Sequence, residues 1–495
     1  MTSATSDERR RLKSVVPAPV TVEPGPGAYE IDDETEIGYR GSGAKPAATY
    51  LADVLRPSTG YQLPVVDTDA VEPAETILLS LADAPVDIDG DGYHLTVTAD
   101  GPRLQADRPA GLFSGVATLR QLLPPAVERR TVQSGPWRIP HGTVVDCPRF
   151  PYRGAQLDVA RHFFTVAEVR RFVDLISLYK LSHLHLHLTD DQGWRIEIDA
   201  WPRLTSHGAR TNIGGGEGGF YTKSDYVEIV DYAASRGITV VPEIDVPAHT
   251  GAAVASYPEL GGLDTAPELP VESGGTLAVD EERTYEFVTD VVHEIAALTP
   301  GPYFHVGGDE ADDLTEAEYT RFIERVLPIV EEYGKRAIGW QEIVTADPPN
   351  STVVQYWKDT DPDLAGYEVI LSPNDHAYLN FRYDEETPLD GPETWGRRIT
   401  SVRESYSWDP GTHVEGVDES SVLGVEFELW SENLYTFDDV EFMALPRLAG
   451  IAELGWSPSS KVGWESYERR LAAQADRWNA LGMNYYRSPD VSWSS

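Results

Sequence analysis

Residues 166–195 read VAEVRRFVDLISLYKLSHLHLHLTDDQGWR. The first half, Val166–Lys180, carries apolar side chains at three- and four-residue spacing, the period of a helix with one buried face. The second half, His183–Leu188, alternates with a period of two and then breaks into Thr189-Asp190-Asp191-Gln192. That is a strand with polar groups at its C-terminal end. Helix followed by strand, with charge at the strand's exit, is one repeat of a parallel α/β architecture.

The same unit recurs on both sides. Strand-like runs fall at Gly154–Val159, His183–Leu188, Thr239–Ile244, Tyr303–Val306, Ala337–Trp340, Val353–Tyr356, Glu368–Leu371 and Val422–Leu429. Helical patterns occur at Val166–Lys180, Ser224–Arg236, Glu281–Ala297 and Ala317–Gly334. Eight runs over about 300 residues predict a closed (β/α)8 TIM barrel rather than an open sheet. Residues 146–495 are therefore read as the catalytic barrel. Residues 15–145 show short strands at Thr76–Ser80 and Tyr93–Val97 and a helix at Leu112–Leu123, punctuated by Pro and Gly, and predict a small α/β domain. Residues 1–14 are polar and read as a disordered tail.

Length and composition agree with two domains: 495 residues, 41% hydrophobic and 10% aromatic, enough for a large core. The charge is unusual. Eighty-one acidic residues against 40 basic ones give −41, spread along the chain. Such a surface repels itself unless salt screens it, which predicts adaptation to high salt, as in a halophile. It also excludes nucleic acid and anionic membranes as partners. A single cysteine, Cys147, rules out an internal disulfide. The first 20 residues lack a signal-peptide apolar core, and no apolar run reaches the length of a membrane span. The sequence thus predicts a soluble, cytoplasmic protein. It leaves the oligomeric state open.

Barrel enzymes carry their chemistry where the strands end. Here those ends read Asp158-Val159-Ala160-Arg161-His162, Asp190-Asp191, Glu243-Ile244-Asp245-Val246-Pro247-Ala248-His249, Gly307-Gly308-Asp309-Glu310, Trp340-Gln341-Glu342, Tyr356-Trp357 and Trp430-Ser431-Glu432. Carboxylates and indoles, without a phosphate-cradling loop, suit a neutral hydroxyl-rich ligand: sugar rings pack on Trp while their hydroxyls need polar partners. Asp309 and Glu310 are the candidate catalytic pair. Consecutive residues point in different directions. Their adjacency fits an acid with an orienting partner better than carboxylates facing each other across a bond.

These stretches resemble glycoside hydrolase family 20, the β-N-acetylhexosaminidases. The resemblance runs from about Pro151 to Pro458 and rests on LDVARHF (157–163), HLHLTDDQGWRIEI (185–198), GGGEGGFYT (214–222), VPEIDVPAHTGA (241–252), HVGGDE (305–310) and PRLAGIAELGWSP (446–458). It implies an exo-acting enzyme on oligosaccharides or glycoconjugates with a terminal N-acetylhexosamine. It also implies a substrate-assisted route in which the 2-acetamido oxygen attacks the anomeric carbon. By the resemblance, Glu310 is the general acid and then base, and Asp309 orients the acetamide. Glu310 must then be protonated near neutral pH, which implies a pKa raised by burial or by Asp309. Arg161 matches the arginine that grips the C3 and C4 hydroxyls, and Asp190 and His249 match a polar pair behind the acid. Trp340, Trp357 and Trp430, with Trp395 a weaker match, correspond to the aromatic walls. Tyr378 corresponds to the donor to the acetamide carbonyl, and Glu432 to an acid that binds the C4 or C6 hydroxyl. Asn380 departs from the family's Asp, which puts gluco against galacto preference in doubt. No metal or other cofactor is implied, although His183, His185 and His187 share one strand face. A non-catalytic sugar-binding barrel, and a two-carboxylate glycosidase acting on sugars without an acetamide, stay open alternatives.

Overall fold

In the computed structural model, residues 6–68, 76–81, 88, 90–358, 360, 362–388 and 398–493 are described. Seven strands form the N-terminal sheet: β1 (Thr21–Ile31), β2 (Ile37–Arg40), β3 (Val65–Asp67), β4 (Ile77–Ser80), β5 (Tyr93–Thr98), β6 (Gly101–Gln105) and β7 (Trp137–Asp146). They are ordered β1-β7-β5-β6-β4-β2-β3. Eight more form the barrel: β8 (Tyr152–Asp158), β9 (His183–His187), β10 (Thr239–Glu243), β11 (Tyr303–His305), β12 (Arg336–Trp340), β13 (Val353–Tyr356), β14 (Glu368–Leu371) and β15 (Val422–Phe427). All eight pair in parallel and the sheet closes where β15 meets β8. The (β/α)8 barrel with a smaller α/β domain before it is as the alternation predicts.

Helix starts follow from local chemistry. Thr165 with Glu168, Thr222 with Asp225, Thr315 with Glu318, Ser401 with Glu404 and Thr436 with Asp439 each form a capping box. Each box satisfies backbone N–H groups that the first turn leaves open. Some of the acid excess is thus spent inside helix termini.

One expectation fails. Residues 6–14 are not loose: Ser6–Leu12 is a helix, Leu12 is buried, and Arg11 Nε donates to the Leu122 carbonyl at 2.8 Å. Just beyond it Val15 and Val16 are buried, and Gln121 accepts the Val16 N–H. The apolar residues are too few to show a period, so only tertiary packing fixes this segment.

The two domains dock through buried ion pairs. Lys180 Nζ lies 2.7 Å from Asp146, and Arg153 lies 2.8 Å from Asp91. Tyr50 Oη and Ser177 Oγ are 3.1 Å apart. Inside the barrel the side chains stack in layers. Tyr152, Val241, Ile338, Val353, Ile370 and Leu423 plug the N-terminal end. Above them lies a layer of ionisable groups, and above that the rings of Trp340, Trp357, Tyr378, Phe381 and Trp430. Barrel interiors are commonly filled with branched apolar residues. A charged middle layer is costly unless every group is paired.

Candidate active site

The C-terminal ends of the strands enclose a cleft of about 1010 Å³. Arg161, Asp190, His249, Asp309, Glu310, Trp357, Tyr378, Trp430 and Glu432 all line it. Trp340 is buried behind the wall, packed at 5.8 Å from Trp430, and does not itself line the cleft. Trp357 and Tyr378 stack at 6.2 Å and 10°. Asn380 is buried and is not among the residues that line the cleft. The residue before it is fixed: Leu379 donates its N–H to the Glu428 carbonyl, and its own carbonyl accepts from Arg447. Trp395 lies outside the described residues. A second hollow of about 1070 Å³ adjoins the cleft and shares Glu310 and Trp357 with it.

Backbone conformation aims the acid pair. Gly307 and Gly308 have φ of 67° and 94°, in the left-handed region that glycine enters at no steric cost. A Cβ on Gly307 would stand 1.7 Å from Asp245 Oδ1. Only glycine lets Asp245 lie against this turn, where it accepts the Gly308 N–H at 3.2 Å. Glu310 itself has φ of 48° and His249 has φ of 54°. Such backbone in non-glycine residues is costly and gathers at functional sites.

The electrostatics divide the two acids. Asp309 is 13% exposed, and its Oδ1 is buried with no hydrogen-bond partner among the described residues. Burial pushes its carboxyl up to about 7, with Glu342, Glu243 and Glu310 adding repulsion and His249 opposing it. Glu310 is 49% exposed and runs the other way. The His249 imidazolium, 3.6 Å from both Asp309 Oδ2 and Glu310 Oε2, is the chief cause that holds Glu310 below its usual value, against partial burial. The raised pKa expected for Glu310 is therefore not what this geometry gives. The cause is a cation that a sequence cannot place at 3.6 Å.

Around them a chain of charges is set. Burial would lower His249, but Asp190 and Asp309 override it and keep the ring charged. Asp190 Oδ1 lies 3.3 Å from His249 Nδ1, and its Oδ2 lies 2.6 Å from Arg161 Nη2. Asp158 holds the other Arg161 arm at 3.3 Å, and the guanidinium lies 5.1 Å from the Trp430 ring. Burial raises the Glu432 carboxyl, offset in part by Arg161. Asp191 accepts the N–H groups of Gly251, Gly274 and Gly275, pinning the loop that brings Glu272 and Ser273 to the cleft wall. Asp158, Asp191, Glu243, Asp245 and Glu342 were not singled out as site residues by the sequence. Four of them stand at or next to strand ends and all fall within the stretches quoted above, so position relative to a strand end was the available signal.

The three histidines of β9 do not converge on one point. His183 stacks on Tyr152 at 4.1 Å, and burial drives it down to about 3. His185 is held up at about 10: burial would lower it, but Glu426 and Glu243 prevail. Ligand atoms of His185, Glu243 and His305 lie within 4.8 Å of one another; His185 pairs with Glu243 at 3.1 Å, while burial lowers His305 and its Nδ1 accepts the Gly307 N–H.

A barrel rim that sets a buried acid beside a half-exposed one, with an arginine held by two carboxylates and a cage of indoles, is the kind of site a glycoside hydrolase presents. The chain belongs to glycosyl hydrolase family 20: the family's catalytic-domain model matches residues 150–459 and its domain 2 model matches residues 13–147. It is 48% identical to the family 20 β-N-acetylhexosaminidase of Streptomyces coelicolor A3(2), covering 98% of this chain and 99% of that one, with a TM-score of 0.92. A Streptomyces plicatus β-hexosaminidase variant solved with its product GlcNAc is equally similar at 48% identity, 98% coverage of each chain and a TM-score of 0.92. A β-N-acetylhexosaminidase of Cellulomonas fimi is 38% identical over 97% of both chains.

Proposed function

We propose that this chain is an exo-acting β-N-acetylhexosaminidase that removes terminal non-reducing GlcNAc or GalNAc by substrate-assisted retention. The observation that carries the reading is Asp309. Its buried Oδ1 accepts nothing from the described residues, and it stands beside the ring cage. Buried polar atoms are seldom left so. An acetamide N–H is the donor it suits, and accepting that bond favours the ionised form. The carbonyl oxygen is then turned toward the anomeric carbon. Tyr378 is assigned to donate to that oxygen, and Trp340, Trp357 and Trp430 to enclose the acetamide and the ring. A nucleophile tethered in the substrate has an effective molarity on the order of 10⁵–10⁸ M, so no protein nucleophile is needed.

Glu310 protonates the leaving oxygen and later takes a proton from water. It borders both hollows, so the scissile bond lies at their junction, with the leaving group toward Lys358 and Arg398. Burial by a bound sugar and a newly ionised Asp309 both raise its pKa, which supplies the proton. Arg161, held flat by Asp158 and Asp190, takes the C3 and C4 hydroxyls, and Glu432 the C4 or C6 hydroxyl. Asn380 leaves the sugar's C4 preference to a panel of aryl GlcNAc and GalNAc substrates.

Glu310→Gln tests the assignment. Hydrolysis of an N-acetylglucosaminide with a poor leaving group is expected to fall by about 10²–10⁴-fold, the usual weight of a general acid. Wild-type turnover by that variant sinks it. The charge of −41 supports a further proposal, function at high salt.

A further inference from the structure

His185 and His187 of β9, and Glu243 at the end of β10, have no part in the chemistry above, yet they form its foundation. Glu243 is fully buried below the cleft floor. Its Oε1 accepts the indole N–H of Trp340 at 2.9 Å and lies 3.1 Å from His305 Nδ1. Its Oε2 lies 2.5 Å from His187 Nδ1 and 3.1 Å from His185 Nε2. Four nitrogens converge on two oxygens. His305 Nδ1 accepts the Gly307 N–H at 3.0 Å, so the donors aimed at Glu243 are Trp340 and His187 with the charged His185 beside them, and a carboxylate meets them with no donor of its own. Burial would raise this carboxyl, but the imidazoles of His187, His305 and His185 hold it well below its usual range.

From this node two paths reach the reacting groups. Through Trp340 it reaches the ring cage assigned to the acetamide. Through His187 it reaches Asp190, 3.0 Å from His187 Nε2, and from there Arg161 and His249, with His249 3.6 Å from both catalytic acids. We propose that Glu243 is a positioning residue that locks the acetamide wall at Trp340 to the His187–Asp190–His249 chain behind Glu310. This rests on the hexosaminidase reading. It fixes the nucleophile's wall and the acid's support to one carboxylate, so that carbonyl oxygen and proton donor keep a common geometry.

Glu243→Gln preserves shape but puts a donor against the Trp340 N–H on one side, or against His187 and His185 on the other. With an aryl N-acetylglucosaminide, kcat is expected to fall about 10- to 100-fold, the usual effect of losing a group that orients first-contact residues. A thermodynamic cycle separates this role from a general loss of stability. In a Trp340→Phe background, which lacks the indole N–H, the same change is expected to cost less than about threefold. Equal losses in both backgrounds, or an unchanged kcat in the single variant, overturn the proposal. If Glu243→Gln does not fold, His187→Asn with Trp340→Phe carries the test: coupling through Glu243 gives non-additive losses, and additive losses overturn the proposal. Wild type that fails to hydrolyse the substrate overturns the function as well, whereas active wild type with additive losses overturns the role of Glu243 alone.

Discussion

Asp309→Asn is expected to make the protein more stable and much less active, and the gain in stability is expected to depend on pH. The side chain is buried with its carboxyl raised from an ordinary 3.8 to about 7. A carboxyl raised by folding is ionised in the unfolded chain at pH values where the folded state resists ionisation. Its penalty is therefore near zero below pH 3.8, grows as pH rises, and is complete above about 7. With those two values the penalty is under about 1 kcal/mol at pH 4 and about 4 kcal/mol at pH 7.5. Asparagine keeps the shape without the charge, so the variant gains that difference, and relief of the repulsion on the neighbouring buried Asp245 adds to it. Urea unfolding of both proteins at constant ionic strength, from pH 4 to pH 8, measures it. The gap is expected to widen by several kcal/mol across that range, roughly 3–4 on the values above. Activity is expected to drop about 10²–10³-fold, as when a group that stabilises transition-state charge is lost. A gap that stays constant with pH, or a variant less stable than wild type at pH 7.5, refutes the reasoning.

Two further outcomes follow from the same geometry. Arg161→Lys keeps the charge but loses the planar fork shared between Asp158 and Asp190 and the contact with Trp430, so kcat/KM is expected to fall about 10- to 100-fold in steady-state assays. The melting temperature is expected to rise between dilute buffer and molar KCl as the charge of −41 is screened, and a flat or falling trend contradicts the salt reading.

The barrel was legible because its signal is local and repeated. A helix period of 3.6 followed by a strand period of two, with charge at the exit, is visible in Val166–Arg195 alone. The acid pair proposed as catalytic stood out because Gly307-Gly308-Asp309-Glu310 places it at such an exit. The helix Ser6–Leu12 was not, since its few buried side chains acquire meaning only against Leu122 and Gln121, more than a hundred residues away. Nor was the opposite titration of Asp309 and Glu310, which depends on how deeply Asp309 is buried and on where His249 comes to rest against Glu310. The β9 histidines show the limit most plainly. They alternate identically in sequence, yet His183 is driven down by burial while His185 and His187 are held up by acids arriving from β10 and β15. Periodicity tells which face a side chain takes, and only the closed barrel tells which charges meet it there.

Hydrolysis of aryl glucosaminides carrying N-acetyl, N-fluoroacetyl, N-difluoroacetyl and N-trifluoroacetyl groups tests most directly whether the substrate's own acetamide, oriented by Asp309, is the nucleophile. Fluorine withdraws electrons from the carbonyl oxygen, so kcat/KM is expected to fall steeply and monotonically along the series, with the 2-hydroxy glucoside essentially inert. A flat series, or a glucoside hydrolysed as fast as the N-acetyl substrate, would contradict it.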